Sequence, residues 1–391
     1  MIPNRAVYLD NQSTTPCDPR VVAAMLPFFT ERFGNPHSAE HAMGQDAADA
    51  IEAARAHVAA LIGADPREIV FTSGATEANN LAIKGVARHA ALLGDPRRRV
   101  VTLATEHKCV LESVADLAAE GFEPVVLPVG ADGLLDLAEL HAALATPTLL
   151  VSVMAANNET GVVQDMAGIA ALVHAAGALF HCDAAQAVGK IEFDVGCGID
   201  LASLSGHKLY GPKGIGALYV RRRPRVRLAP LFSGGGQERG SRSGTLPTPL
   251  VVGFGEACRI AAAEMATEAE RVAALRARLL DGLDSSIPGL RVNGAWTPRL
   301  PGNLNLTFPR ANAVHMMRVC PDLCVSTGSA CSSAEIVPST VLTAMGIAPA
   351  AAARTLRIGL GRFTSPADVD FAIRALSAAH TAIAGMASTE A

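Results

Sequence analysis

One pattern restricts the fold of this chain more than any other: short apolar, β-branched runs alternate with alanine-rich stretches of helical character. The runs are Glu68–Thr72, Arg99–Ala104, Pro124–Leu127, Thr148–Ala155, Ala178–Cys182, Leu201–Leu204 and Gly216–Arg221. The helical stretches include Ala47–Ile62, Ala78–Leu93, Leu111–Glu120 and Ala167–Ala176. Strand and helix in repeated alternation mean βαβ units, and so a mostly parallel sheet covered by helices. From Glu264 the texture changes. A charged helix, Glu264–Leu283, leads into short strands around Leu290–Val292 and Asn303–Thr307, then into two further helices, the last over Pro366–Ile383. The chain therefore reads as α/β. A large domain over residues 16–262 carries a seven-stranded sheet, and a smaller α+β domain is built from 1–15 and 263–391.

Composition excludes several classes. A formal net charge of -4 gives no general attraction to nucleic acid or to an anionic membrane surface. Aromatics are only 4%, too few for a base-stacking surface, and the basic run Arg221–Arg225 reads as solvated loop charge. No apolar stretch reaches the roughly 18 residues that a membrane span needs. The start, Met1-Ile2-Pro3-Asn4-Arg5, lacks the apolar run of a secretion signal. Eight cysteines without a repeating framework suit reduced thiols. The expectation is a cytoplasmic protein with no direct nucleic-acid or membrane partner.

Ligands of open α/β sheets gather at the carboxyl ends of the strands. Here those ends carry polar clusters. Ser73-Gly74-Ala75-Thr76-Glu77 comes after the first run and opens a helix, an arrangement that offers backbone N–H groups to a phosphate. Thr105-Glu106-His107-Lys108 comes after the second, and Asn157-Asn158-Glu159-Thr160-Gly161 after the fourth. Asp183 and Gln186 lie beyond the fifth, and Ser205, His207 and Lys208 beyond the sixth. One such residue is usually a cap or a turn; five clusters on one edge make a site. Lys208 beside a phosphate cradle suits a Schiff base with an aldehyde cofactor, which suggests pyridoxal phosphate. Asp183 suits its pyridine nitrogen, His107 the open face of the ring, and Asn158 and Gln186 the ring oxygen.

With these residues in view, the sequence resembles the cysteine desulfurases of the NifS/IscS type, in the class V aminotransferase group. The resemblance runs from Tyr8-Leu9-Asp10-Asn11 to Leu360-Gly361-Arg362-Phe363-Thr364. It is carried by Ser73–Glu77, Thr105–Lys108, Ser205–Lys208, Arg242-Ser243-Gly244-Thr245 and Gly328-Ser329-Ala330-Cys331. It implies a fold-type I pyridoxal-phosphate enzyme that converts L-cysteine to alanine and passes the sulfur to a protein acceptor. Lys208 is then the lysine that binds the cofactor and removes the α-proton, Asp183 the pyridinium partner, and His107 the stacking residue and acid/base. Ala75, Thr76, Ser205 and His207 hold the phosphate, and Thr245 reaches the phosphate of the other subunit of a homodimer. Asn35 and Arg357 bind the substrate carboxylate, for which a planar guanidinium is suited. Selenocysteine lyase, or another class V pyridoxal-phosphate reaction, is the alternative within the same group.

The resemblance makes Cys331 the sulfur-accepting nucleophile. It lies in Ser326–Ser333, a run of small residues that cannot pack a core and reads as a mobile loop, about 321–336. As a thiolate it would attack the substrate sulfur and leave a persulfide. The spacing of Cys320, Cys324 and Cys331 fits no common zinc motif, so no permanent metal is expected, though a transient iron–sulfur ligand role is open to Cys331. Two features depart from housekeeping members. The chain ends at Ala391, short of their longer tail, and Ala311–Met317 replaces their usual acidic, glycine-containing segment. Both leave the sulfur acceptor, an iron–sulfur scaffold protein or a specialised partner, open.

Overall fold

The computed structural model describes residues 6–327 and 339–387. A short strand β1 (Val7–Tyr8) precedes the seven that form the main sheet. These are β2 (Ile69–Thr72), β3 (Arg99–Leu103), β4 (Glu123–Leu127), β5 (Thr148–Ser152), β6 (Leu179–Asp183), β7 (Leu201–Ser205) and β8 (Gly216–Val220). Their order across the sheet is β2-β8-β7-β6-β5-β3-β4. All neighbours are parallel except β8, which runs antiparallel to both β2 and β7. β2 and β7 therefore point the same way, and the carboxyl ends of six strands meet at one edge.

Alternation along the strands buries both faces of this sheet. Val101, Leu103, Val151, Ala202 and Leu204 pack into one core, and Val100, Leu150, Leu201 and Leu218 into a second beneath helix Ala75–Leu92. A third core lies under β9 (Arg291–Val292), β10 (Asn303–Thr307) and β12 (Thr355–Gly359), which form an antiparallel sheet. Between β10 and β12 in the chain, β11 (Leu323–Cys324) pairs in parallel with β1. The C-terminal part holds four helices among the described residues, Ala313–Val319, Thr340–Ala344, Pro349–Ala352 and Pro366–Ala387, where the apolar pattern suggests two. The extra ones are too short to show a helical period.

The charged helix that the sequence begins at Glu264 instead runs unbroken from Thr248 to Ser286. At 1.5 Å per residue it is roughly 58 Å long. Its first half, with Val251, Phe254 and Ala257, packs into the core of the main sheet, and its second half, with Val272, Leu279 and Leu283, into the core of the small one. Gly255 permits the close crossing with helix Ala42–Leu61, since a Cβ there would lie 2.5 Å from Ala54 Cα. No helix among the described residues is long and apolar enough to cross a membrane.

One buried ion pair ties a surface loop to the sheet. Arg55 Nη2 lies 2.8 Å from Glu238 Oε1, with both side chains almost fully buried. Glu238 Oε2 accepts the backbone N–H of Phe71 on β2 at 2.7 Å. Removing one partner of such a pair leaves the other charged and desolvated. Glu238→Ala is therefore expected to cost about 3–5 kcal/mol of stability, read as a lower denaturant midpoint. Glu238→Gln, which keeps the shape and one acceptor, is expected to cost less.

Candidate active site

A cavity of about 510 Å³ opens at the carboxyl edge of the main sheet. It gathers residues from five strand ends: Ala75 and Thr76 after β2, His107 after β3, Asn158 after β5, Asp183 and Gln186 at and after β6, and Ser205, His207 and Lys208 at the end of β7. Arg357 enters from β12 of the small sheet. The N-terminal segment Gln12-Ser13-Thr14 closes the cavity over Lys208, whose Nζ donates to the carbonyls of Gln12 (2.5 Å) and Ser13 (2.7 Å).

At one end of the cavity the helix Ala75–Leu92 starts at Gly74, which has no capping side chain. Its first turn presents N–H groups and the positive end of the helix dipole to the space beside Ser205 and His207. Glu77 reaches back from that turn to the N–H of Ser73 (2.8 Å) and pairs with Arg242 (2.8 Å). Burial works against the Glu77 carboxylate, but those two partners hold it below its ordinary range. Gly216 sets the shape of this end. It begins β8 between Thr72 and Ser205, and a Cβ on it would lie 2.4 Å from the Leu204 carbonyl and 2.7 Å from Gly74 Cα. His207 contacts Thr14 Oγ1 at 3.0 Å through Nδ1. Burial, with the charges of Lys208, Lys213 and Lys190, pushes it down to about 4, so the ring is neutral at pH 7.

At the other end, Asp183 Oδ2 accepts from Asn79 Nδ2 (2.7 Å) and Oδ1 from the N–H of Ala185 (3.0 Å). Behind it Glu106 is buried and accepts the N–H of Met154 at 2.6 Å. Burial pushes the Glu106 carboxyl well above its ordinary range despite that bond, and the Asp183 charge adds to the shift. Gln186 is engaged at both ends of its amide, giving to the Gln12 carbonyl (2.8 Å) and accepting from Lys190 (2.8 Å). Arg357, only 3% exposed, donates to Asp10 Oδ1 (2.9 Å) and to the Asn158 carbonyl (3.1 Å), while its buried Nε has no acceptor among the described residues.

Two sequence candidates stand apart from the cavity of this chain. Asn35 is exposed to a degree that leaves it outside the core, and its Oδ1 accepts the N–H of His37 (3.0 Å) in a local turn. Thr245 is exposed on the segment that Arg242 ties to Glu77. Cys331 lies outside the described residues. The described residues that flank it are anchored beside the cavity: Ser326 bridges to Arg357, and Ser339 Oγ donates to Glu159 Oε2 at 2.5 Å. The sequence did not mark Gln12, Ser13, Cys109 or Lys213 as site residues, yet they also line the cavity. Only their place near the family segments could have drawn notice.

The family described as Aminotransferase class-V matches residues 7–371. This chain belongs to that family. It is 54% identical over 369 residues to the cysteine desulfurase IscS of Anaeromyxobacter sp. (strain Fw109-5), covering 94% of this chain and 91% of that one. It is 53% identical over 374 residues to a mitochondrial cysteine desulfurase of Arthroderma benhamiae, covering 95% and 74%. Among solved structures, a NifS-like protein superposes with a TM-score of 0.88 at 36% identity, covering 95% of this chain and 98% of the other. The NifS/IscS resemblance and the fold-type I architecture are borne out.

Enzymes of this family use pyridoxal phosphate, and the cavity fits it. An uncapped helix N-terminus and a neutral imidazole suit the phosphate, an amine suits the aldehyde, and a carboxylate at the opposite end suits the ring nitrogen. Since Gly216 leaves no room for a methyl group beside Gly74, Gly216→Ala is expected to weaken cofactor binding roughly 10- to 100-fold by the usual cost of overpacking. Titration of the cofactor-stripped protein with pyridoxal phosphate, monitored by visible absorbance, checks this.

Proposed function

We propose that this protein is a cysteine desulfurase that converts L-cysteine to L-alanine, with its sulfur leaving as a persulfide on Cys331. The carrying observation is the convergence of Lys208, Asp183 and His107 on one cavity with a phosphate cradle at its far end. Pyridoxal phosphate, when bound, supplies an aldehyde for the substrate amine and a ring that takes up electron density from the α-carbon.

The chain supplies the rest. Ala75, Thr76, Ser205 and His207 bind the phosphate; a neutral His207 gives or accepts a hydrogen bond without adding a cation to a pocket that already holds Lys208 and Lys213. Asp183, fixed by Asn79 and Ala185, holds the proton on the ring nitrogen. His107 would stack on the open face of the ring, and Asn158 and Gln186 would serve the ring oxygen. Arg357 orients the substrate carboxylate, with Asn35 the second candidate for that group. Lys208 takes the Cα proton of cysteine. The Cys331 thiolate attacks the substrate sulfur, the carbon–sulfur bond breaks, and its electron pair stays with Cβ. A proton delivered to Cβ by His107 or Lys208, and a second returned to Cα by Lys208, complete alanine.

The same reading divides the chain into a large domain over 16–262 and a small one from 1–15 and 263–391, with the long helix shared between them. It makes the active form a cytoplasmic homodimer in which Thr245 reaches the phosphate of the other subunit. The persulfide passes to an acceptor protein, an iron–sulfur scaffold among the candidates, with Cys331 as a transient ligand to the cluster. The described residues on either side of Cys331, Ser326 and Ser339, contact Arg357 and Glu159.

Wild type and Cys331→Ala, each given L-cysteine and a reductant, test the assignment. Both are expected to keep the visible absorbance of bound cofactor, while the variant loses alanine formation by on the order of 10³-fold or more, as nucleophile removal does elsewhere. Equal alanine release by the variant would sink the persulfide step and favour a lyase that frees sulfur or selenium without Cys331.

A further inference from the structure

Cys109 lines the cavity, yet the reaction proposed above gives it no task. Its surroundings do. His107 is the N-cap of helix Lys108–Asp116, and its Nδ1 accepts the backbone N–H of Cys109 at 3.2 Å. The same Nδ1 lies 2.9 Å from Cys109 Sγ. A ring nitrogen that accepts an N–H bond carries no proton, so in the second contact the thiol is the donor and Nδ1 the acceptor. The proton of the neutral ring is then on Nε2.

The sulfur is held in turn. Asn79, fully buried, donates from Nδ2 to Cys109 Sγ (3.2 Å) and from the same nitrogen to Asp183 Oδ2 (2.7 Å). Its amide cannot turn over, because its oxygen would then face the Asp183 carboxylate. The hydrogen bonds thus have one direction: Asn79 gives to Asp183 and to Cys109, and Cys109 gives to His107. A thiolate–imidazolium pair is incompatible with this order, since it needs a proton on Nδ1, where the Cys109 N–H already points.

We infer that Cys109 is a positioning residue for His107: its S–H, aimed by Asn79, holds the ring in the Nε2–H form and ties it to the carboxylate at the other end of the cavity. The inference rests on the reading of His107 as the ring-facing acid/base. Other charged groups act on this histidine. Glu106 precedes it in the chain, Glu159 lies across the cavity edge, and Asp183, Lys208 and Arg357 share its cavity.

Histidine ¹⁵N shifts of the holoenzyme test the inference in wild type, Cys109→Ala and Cys109→Ser, with His107→Gln to assign the signal. Wild type is expected to show an unprotonated Nδ1 and a protonated Nε2 at neutral pH. Loss of a donor to Nδ1 makes that nitrogen easier to protonate. The His107 midpoint in Cys109→Ala should therefore rise by about half to one pH unit, the equivalent of one hydrogen bond. Cys109→Ser, which restores an O–H donor, should return it. The acid limb of alanine formation should move in the same direction, with the plateau changed less than about threefold. A protonated Nδ1 in wild type, coincident midpoints for wild type and Cys109→Ala, or a serine variant that behaves like the alanine one overturns the inference. Failure of the desulfurase reading is separate: wild type would release no alanine, while the nitrogen shifts would still report the tautomer.

Discussion

Two main-chain carbonyls hold the side-chain nitrogen of Lys208, and they come from the N-terminal segment, 196 and 195 residues away. Gln12 and Ser13 reach Lys208 because the preceding residues are bound to the small sheet: Asn11 donates to the Gly359 carbonyl from both its backbone N–H (3.2 Å) and its side-chain amide (2.8 Å). Gly359 ends β12, the strand that also carries Arg357. One short segment thereby fixes the lysine of the large sheet against the arginine of the small one. The cavity exists between these two sheets, and the role of every other residue in it depends on that registration.

Electrostatics in the cavity arise from the same packing. Burial and the charges of Lys208, Lys213 and Lys190 keep His207 neutral, and burial with the charges of Lys208 and Arg357 pushes Lys190 down to about 7. Asp183 is fixed by two hydrogen bonds, and Glu106 behind it is driven toward its neutral form by burial. Lys208, Lys213 and a neutral His207 suit the cofactor's phosphate end, and the fixed Asp183 carboxylate suits its protonated ring nitrogen.

Much of this was legible in the sequence. Apolar runs located every strand of the main sheet to within three residues, and the polar residues just beyond those runs brought Lys208, Asp183, His107, Ser205 and His207 to one edge. That worked because a parallel sheet turns sequence position after a strand into spatial position. Where no such rule applied, the sequence was less informative. The helix Thr248–Ser286 passes through the boundary suggested at 262, because its change of composition marks a change of core, not an end of helix. The contacts of the Gln186 amide with Lys190 and the Gln12 carbonyl are encoded by no local pattern. The local turn at Asn35, where its Oδ1 accepts the N–H of His37, is likewise visible only in the structure. Nothing in the sequence singles out Cys109, and only the geometry around His107 gives it a role.

All of the proposed chemistry requires that Lys208 carry the cofactor. Borohydride reduction of the purified holoenzyme, then proteolysis and mass mapping, tests this without reference to turnover. The phosphopyridoxyl group is expected on the peptide containing Lys208, and is expected to disappear in Lys208→Ala. Label on Lys190 or Lys213 instead, or a coloured protein with no reducible link to Lys208, would contradict the assignment.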